Sequence, residues 1–405
     1  MINSKQFNGA LDGIRVLDLA TFIAAPYAAG IMGEFGADVI KIEQPGTGDP
    51  LRQFGTATEL DGQSLCWLSE GRNKQSVTLN LKSEQGADIF KKLVAQSDVV
   101  CENFRPGTLE KWGLGWDQLK LINPKLVLLR VSGYGQTGPY AARPGFARVA
   151  HAVGGLSHLS GQVGERPVTP GSTSLADYMT GLYGAVGVLM ALRHRDQTGV
   201  GQIIDIGLYE SVFRVLDEIA PAYAMHGTVR APEGSGTVNA CPHGHFKTLN
   251  KKWIAIACTT DKMFARLCQA MGGAGQKLSQ NYGDQATRLK ARDVVNDIVE
   301  KWTSSMTRED VLNLCEKYDV PSGPLNDIAD IFEDPQFKAR GNLQTVPVDG
   351  IGNVIMPGVI PKMSLTPGQI KTPGPALGNA TDQILKNLLQ MTKDECQALR
   401  DTGVI

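Results

Sequence analysis

Apolar and polar positions along this chain alternate between the short continuous runs of buried strands and the wider spacing of helices. Ile14 to Leu19 is such a run and predicts a strand buried on both faces. Pro26 suits the first turn of a helix through Phe35, and Gly36 suits its stop. Ala37 to Ile42 predicts the next strand. Strand, helix and strand in this short compass form a βαβ unit, which implies parallel pairing and a right-handed crossover. The pattern recurs as a helix over Glu84 to Gln96, a strand over Asp98 to Cys101 and a helix over Trp116 to Ile122. Strands over Leu126 to Val131 and Gln202 to Ile206 follow, the latter leading into a helix from Glu210. The fold class predicted is α/β, with a doubly wound, Rossmann-like large domain.

Beyond residue 228 the pattern changes. Arg230 to Val238 is rich in Gly, Pro and Ser and predicts a surface loop. Trp253 to Cys258 predicts a strand, followed by helices over 261–271, 286–302 and 307–317, a smaller α+β unit. After Pro321-Ser-Gly-Pro the chain shows little periodicity until helices over Thr381–Leu389 and Lys393–Asp401.

A length of 405 residues suggests two domains. A net charge of −1 gives no electrostatic case for nucleic acid as the main partner. The first residues lack a signal-peptide core, and the apolar stretch Gly181 to Leu192 is glycine-interrupted and short for a bilayer, so no membrane association and a cytoplasmic location are expected. The seven cysteines are scattered without a C-x-x-C pair, which fits reduced thiols better than a disulfide or zinc framework, and no metal site is expected. Cys241-Pro-His243-Gly-His245 is the densest His/Cys group and fits a turn better than a metal centre.

Candidate chemistry lies where strands end. Asp177 follows the polar run Thr169-Pro-Gly-Ser-Thr-Ser and opens an apolar helix, so its carboxylate falls in the first turn, near the partial positive end. Taken alone it is equally an ordinary helix-start aspartate. Ser132-Gly-Tyr-Gly-Gln-Thr-Gly-Pro139 follows a strand, and its glycines let backbone approach a ligand, though a tight turn explains it too. Glu102-Asn-Phe-Arg-Pro-Gly107 offers an amide, a ring and a cation suited to a base and phosphates, or else is a strand-to-helix turn. Arg72 and Lys74 add cations at the start of another element. Ala20 to Pro26 is a small, uncharged turn into a helix, a form that receives anions on backbone amides.

Taken in order, these segments resemble the class III CoA-transferases, the CaiB–BaiF family. The resemblance is carried by Leu11-Asp-Gly-Ile-Arg-Val-Leu-Asp-Leu, Ala24-Ala-Pro26, Gly36-Ala-Asp-Val-Ile-Lys-Ile-Glu43, Asn73-Lys74, Glu102-Asn-Phe-Arg-Pro-Gly, Ser132-Gly-Tyr-Gly-Gln-Thr-Gly-Pro, Leu175-Ala-Asp177 and Pro321-Ser-Gly-Pro. It implies a large CoA-binding domain over 1–225, a small domain over 226–325 and a return to the large domain over 326–405. Two subunits would interlock as a homodimer, or pair with a homologous second subunit. It also implies that Asp177 is the nucleophile and that coenzyme A, a substrate rather than a bound cofactor, lies along Ala24, Asn103, Phe104, Lys111 and Tyr134; Ala25, Arg72, Lys74 and Arg105 are further candidates to hold it. No permanently bound cofactor is expected.

The chain departs from the family at three places. Ile23 stands where formyl-CoA transferases carry glutamine, and Pro242-His-Gly-His-Phe246 replaces their tetraglycine loop, which argues against oxalate and formate. Gly145-Phe-Ala-Arg148 replaces a Gly-Tyr-Asp or Gly-His-Asp, so the racemase histidine is missing. Arg148, His151, His243 and His245 are the candidates for holding the acceptor acid, with a surface arginine and turn histidines as the ordinary alternative for each. The expected reaction moves CoA from an acyl-CoA such as succinyl-CoA to a carboxylic acid, a dicarboxylate such as malate, citramalate or itaconate. Alternatives are a carnitine-type transferase, an α-methylacyl-CoA racemase and a non-catalytic CoA-binding subunit.

Overall fold

The computed structural model describes residues 9–171 and 173–405. The start of the chain and Ser172, both used above, lie outside the described residues. The chain divides into two compact units. One comprises the residues up to Leu156, Gly171–Glu218 and Lys338–Ile405; the other comprises Ser157–Pro170 and Ile219–Phe337.

Among the described residues the first unit carries a six-stranded parallel sheet in the order β3-β2-β1-β4-β5-β6. Its strands are β1 (Arg15–Asp18), β2 (Asp38–Glu43), β3 (Lys74–Thr78), β4 (Val99–Glu102), β5 (Val127–Ser132) and β6 (Ile203–Gly207). β1 is the seed, with Val16 in register with Val39 on one side and Val99 on the other. Because side chains alternate along a strand, each strand feeds two cores. Leu17, Ile40, Val77, Val100 and Leu128 join the helices Glu84–Val94 and Thr381–Leu389 on one face. Val16, Val39, Val99, Val127 and Leu129 join the helices Ala24–Glu34 and Leu175–Thr198 on the other. The expected doubly wound α/β architecture is present, and the switch point falls between β1 and β4, where their outgoing crossovers run to opposite sides.

Hydrophobic patterning misses β3, because only Val77 among its five residues is strongly apolar. It is an edge strand, and Lys74 and Ser76 enter a buried polar network described below. The helix after β1 starts at Ala24, two residues ahead of Pro26, which still occupies the first turn. The Asp177 helix is longer than its apolar core suggests. It runs Leu175–Thr198, 24 residues, and stops at Gly199 in the left-handed conformation, φ 76°. The expectation of a segment too short for a bilayer is thereby corrected. By length and composition this helix suffices, with a mean hydropathy of 1.4 over 18 residues, 44% of that window being buried in the fold.

The second unit holds a three-stranded antiparallel sheet of β7 (His243–Lys247), β8 (Trp253–Ala257) and β9 (Ser322–Pro324). His243 to Lys247 is therefore a strand and not the expected turn. Phe246 points into the core while His245 and Lys247 face out, a period-two alternation hidden by its short length. The helix expected over 286–302 divides at Ala291 into Gln285–Lys290 and Arg292–Thr303. A further helix, Gly273–Tyr282, has too weak a pattern to be foreseen. Back in the first unit, β10 (Leu343–Val348) and β11 (Gly352–Pro357) form a hairpin. Pro347 and Pro357 obscure it in the sequence, yet a two-stranded ribbon has outer edges that tolerate proline.

Candidate active site

Loops from the carboxyl ends of β1, β4 and β5 meet the first turn of the Asp177 helix around a cavity of about 210 Å³. Its wall comprises Thr21 to Ala24, Asn103 to Pro106, Ser132-Gly133, Arg143 to Phe146 and Asp177. Close backbone packing builds it. The β5 loop crosses the returning Pro144-Gly145 segment so tightly that a Cβ on Gly133 would lie 2.8 Å from the Gly145 Cα. On the Asp177 helix, a Cβ on Gly181 would lie 2.7 Å from the Ala24 carbonyl oxygen. Two helix starts, at Ala24 and Leu175, therefore converge on one cavity, and among the described residues neither Ile23 nor Ser174 caps its helix with a side-chain hydrogen bond.

The first loop is held rigidly. The Thr21 N–H donates to Asn103 Oδ1 at 2.8 Å, and Asn103 Nδ2 donates back to the Thr21 carbonyl at 2.7 Å. The Phe22 N–H donates to Asp49 Oδ1 at 3.0 Å, with Phe22 itself at φ 61°, a left-handed conformation costly for an aromatic residue. Below the loop lies a buried ionic network. Lys41 Nζ is 2.9 Å from Asp49 and 3.6 Å from Asp18, and Lys74 Nζ is 2.9 Å from the same Asp18 carboxylate. Burial by itself depresses the Lys41 ammonium, but Asp18, Asp49 and Glu43 outweigh it and raise the pKa. Asp49 is held below the usual carboxylate range because Lys41 and the Leu51 and Phe22 amides more than offset its burial.

This network corrects two expectations. Lys74 is buried and also donates to the Pro26 carbonyl at 2.7 Å, so it faces inward rather than toward a ligand. Arg72 pairs with Glu34 and donates to the Pro357 carbonyl at 2.8 Å, at the opposite, amino end of β3. Asn103 acts as the clamp on Thr21, which uses its carbonyl oxygen and one amide proton within the protein.

Asp177 is half-buried at the cavity wall, and burial pushes its pKa up to about 6. It remains largely ionised at neutral pH while being poorly solvated, a state that favours reaction at carbon. His151 is buried behind this turn, with Nε2 accepting the Ala176 N–H at 2.9 Å. It does not line the cavity, which corrects its assignment to substrate. Arg148, three residues earlier on the helix Ala147–Val153, is also absent from the wall. Among the described residues the cations lining the cavity are Arg105 and Arg143, the latter belonging to no motif. The Arg143 guanidinium stacks 3.7 Å above the Tyr140 ring. Its only sequence signal is its place directly before Pro144-Gly145. Phe22 and Phe146, also unforeseen, meet edge to face at 6.4 Å beside it. His243 and His245 belong to the second unit.

A second cavity of about 210 Å³ adjoins the first loop, sharing Thr21 and Phe104 with the Asp177 cavity. Leu79, Leu81 and Trp112 give it an apolar lining, and Lys82 a cation. Phe104 and Trp112 pack edge to face at 5.2 Å. Phe104 is fixed through its N–H, which donates to Glu102 at 2.7 Å; Arg130 bridges Glu102 and Glu110. Burial raises the Glu102 pKa to about 7 despite the Arg130 contact. Of the other expected contacts, Ala24 lines the Asp177 cavity and Ala25 lies fully buried behind it. Lys111 is exposed beside Trp112 and lines neither cavity. Tyr134 is half-buried between Tyr140 and Tyr209, its ring 5.8 and 6.0 Å from theirs, beyond the wall.

A sequence profile of CoA-transferase family III matches residues 11–381. The beta subunit of succinyl-CoA–L-malate CoA-transferase from Chloroflexus aurantiacus is 58% identical, the alignment covering 98% of each chain. The alpha subunit of that enzyme is 55% identical over 98% of this chain and 92% of its own length. A CaiB/BaiF family protein from Brucella suis has a solved structure that superposes with a TM-score of 0.83 at 32% identity, covering 94% of this chain and 100% of that one.

Proposed function

The chain belongs to CoA-transferase family III and moves coenzyme A between an acyl thioester and a free carboxylic acid, and on that footing we propose that Asp177 is the covalent nucleophile and that the acceptor is a dicarboxylate. The observation that supports it is the shared cavity, whose wall includes Asp177 together with Arg105 and Arg143. Succinyl-CoA and L-malate, named for the two relatives, are the donor and acceptor proposed.

In this reading a carboxylate oxygen of Asp177 attacks the donor thioester carbon, the C–S bond breaks and CoA leaves as thiolate. The acyl-aspartyl anhydride is then attacked at the Asp177 carbonyl by that thiolate, which releases the donor acid and leaves an aspartyl-CoA thioester. The acceptor carboxylate attacks this thioester, thiolate leaves again, and a second anhydride forms. Thiolate attacks the acceptor's carbonyl and Asp177 departs as carboxylate. One thioester replaces another, so no external energy source enters. Backbone N–H groups at the crowded Ala24 and Gly133 turns are the proposed donors to the tetrahedral oxyanions. Ile23 and Leu208, both buried, with the half-buried Phe22 beside them, keep water from the anhydride. The adenine lies against Phe104 and Trp112 in the adjoining cavity, with Lys82 for phosphate.

The Asp177 helix also bears an exposed apolar stripe of Leu182, Val186, Leu189 and Met190. A second copy of this chain covers it in the assembly we propose. Comparable identity to an alpha and a beta subunit fits a single chain able to fill both places. The function is tested by incubating pure protein with succinyl-CoA and a panel of free acids, with mass spectrometry of the CoA esters. Malyl-CoA appearing with release of succinate supports the reading. Transfer confined to monocarboxylates or to carnitine-like acids refutes it.

A further inference from the structure

The first turn of the Asp177 helix has an unusual support. Four N–H groups at any helix start lack partners within the helix, and a side chain at the cap position ordinarily accepts one of them. Ser174 occupies that position here without a side-chain hydrogen bond. Its carbonyl accepts the Asp177 and Tyr178 N–H groups, at 2.9 and 3.2 Å. The Ala176 N–H has no partner within the helix, and Ala176 is fully buried, so water cannot serve it. His151 Nε2 accepts it at 2.9 Å from a different helix.

We infer that His151 is a positioning residue, a cap delivered from the neighbouring helix Ala147–Val153 that holds the Asp177 turn in its reactive orientation. The inference rests on Asp177 being the nucleophile. An N–H donates, so Nε2 must carry the lone pair and the proton sits on Nδ1 in a neutral ring. Nδ1 is buried and has no hydrogen-bond partner among the described residues, so the ring's one polar contact is the one to Ala176. Burial, and then Arg148 on the same helix, hold the imidazole below its usual pKa, consistent with that neutral form. The adjoining amide belongs to the residue directly before the nucleophile. Loss of the acceptor leaves that N–H buried and unpaired, and the turn relaxes toward another partner. In a cavity where two helix starts converge, a small displacement of the carboxylate moves it off the line of attack on the thioester.

His151→Gln and His151→Leu separate the roles. Glutamine places Oε1 near the position of Nε2 and accepts a hydrogen bond; leucine has similar bulk and no acceptor. The leucine variant should lose on the order of tenfold to a hundredfold in kcat, with the KM for acyl-CoA within about threefold of wild type, because CoA is held by other loops. The glutamine variant should recover kcat to within about threefold of wild type. Equal losses in both variants, or full kcat in the leucine variant, would overturn the inference. Nitrogen NMR of histidine-labelled wild-type protein at pH 7, with the His151 signal assigned by its absence from the glutamine variant, reads the tautomer in the wild-type protein itself. Protonated Nδ1 with bare Nε2 supports the cap; the opposite tautomer or an imidazolium overturns it. Hydroxylamine trapping of the wild-type intermediate reports separately on Asp177. Absence of label at Asp177 defeats the nucleophile reading, whereas labelled Asp177 with an unaffected leucine variant defeats only the cap.

Discussion

Replacing Asp177 with asparagine separates reactivity from stability. In the fold the carboxyl is raised from 3.8 to about 6 by burial, so ionisation at neutral pH is disfavoured relative to the unfolded chain. At roughly 1.4 kcal/mol per decade, a rise of this size sets an upper bound of about 3 kcal/mol on the penalty. Solvent at the cavity mouth screens the charge, and about 1–2 kcal/mol is the expected value. The sign follows from linkage. Above about pH 6 the folded protein carries the full penalty; it diminishes as pH falls through 6 toward 3.8 and vanishes once both states are protonated. Asp177→Asn therefore gains stability at pH 8, while the difference from wild type shrinks at pH 5. At roughly 2–4 °C per kcal/mol for units of this size, the thermal midpoint at pH 8 rises by about 2–8 °C. Differential scanning calorimetry of both proteins at pH 5, 6.5 and 8 provides the comparison, with CoA transfer measured in parallel. Transfer by the variant should fall at least a thousandfold, and in the wild type kcat/KM should drop as pH falls through about 6 because the carboxylate is the attacking form. An asparagine variant less stable than wild type at pH 8 would show that the carboxylate is favourably paired in the fold. A pH-independent difference would refute the linkage argument.

Three further outcomes follow from the same geometry. Arg143→Ala should raise the KM for a dicarboxylate about tenfold to a hundredfold, the loss of a charge-assisted pair, while Arg148→Ala stays within about threefold in steady-state assays; equal effects would return Arg148 to the site. Phe104→Ala should raise the acyl-CoA KM about tenfold and leave kcat within about threefold, because in the binding mode proposed the ring stacks on the adenine away from the reacting carbon; a loss confined to kcat would place the ring at the chemistry. Gly181→Ala, which forces a methyl to 2.7 Å from the Ala24 carbonyl, should cost about 1–3 kcal/mol in chemical unfolding and lower transfer as well; unchanged stability would mean the two helices separate freely.

The sequence by itself determined the alternation of β1, β2, β4 and β5 with helices, since buried parallel strands announce themselves as continuous apolar runs. It also placed Asp177 at a helix start and the Asn103-Phe104 loop at a strand end, because those positions follow from local chain order. Tertiary structure decided which charges remain available. Arg72, Lys74, Arg105 and Arg143 look alike in one dimension, yet Lys74 meets Asp18 and Arg72 meets Glu34, while Arg105 and Arg143 line the cavity. A charge in a low-dielectric interior is tolerated only when paired, and the partners lie 38 to 56 residues away in the chain, at separations no local pattern reveals. The same holds for β3, whose polar residues are buried by that network, and for His151. Its Nε2 meets an amide 25 residues on, and only the packing of two helices turns a histidine with no motif into a partner of the turn that carries Asp177.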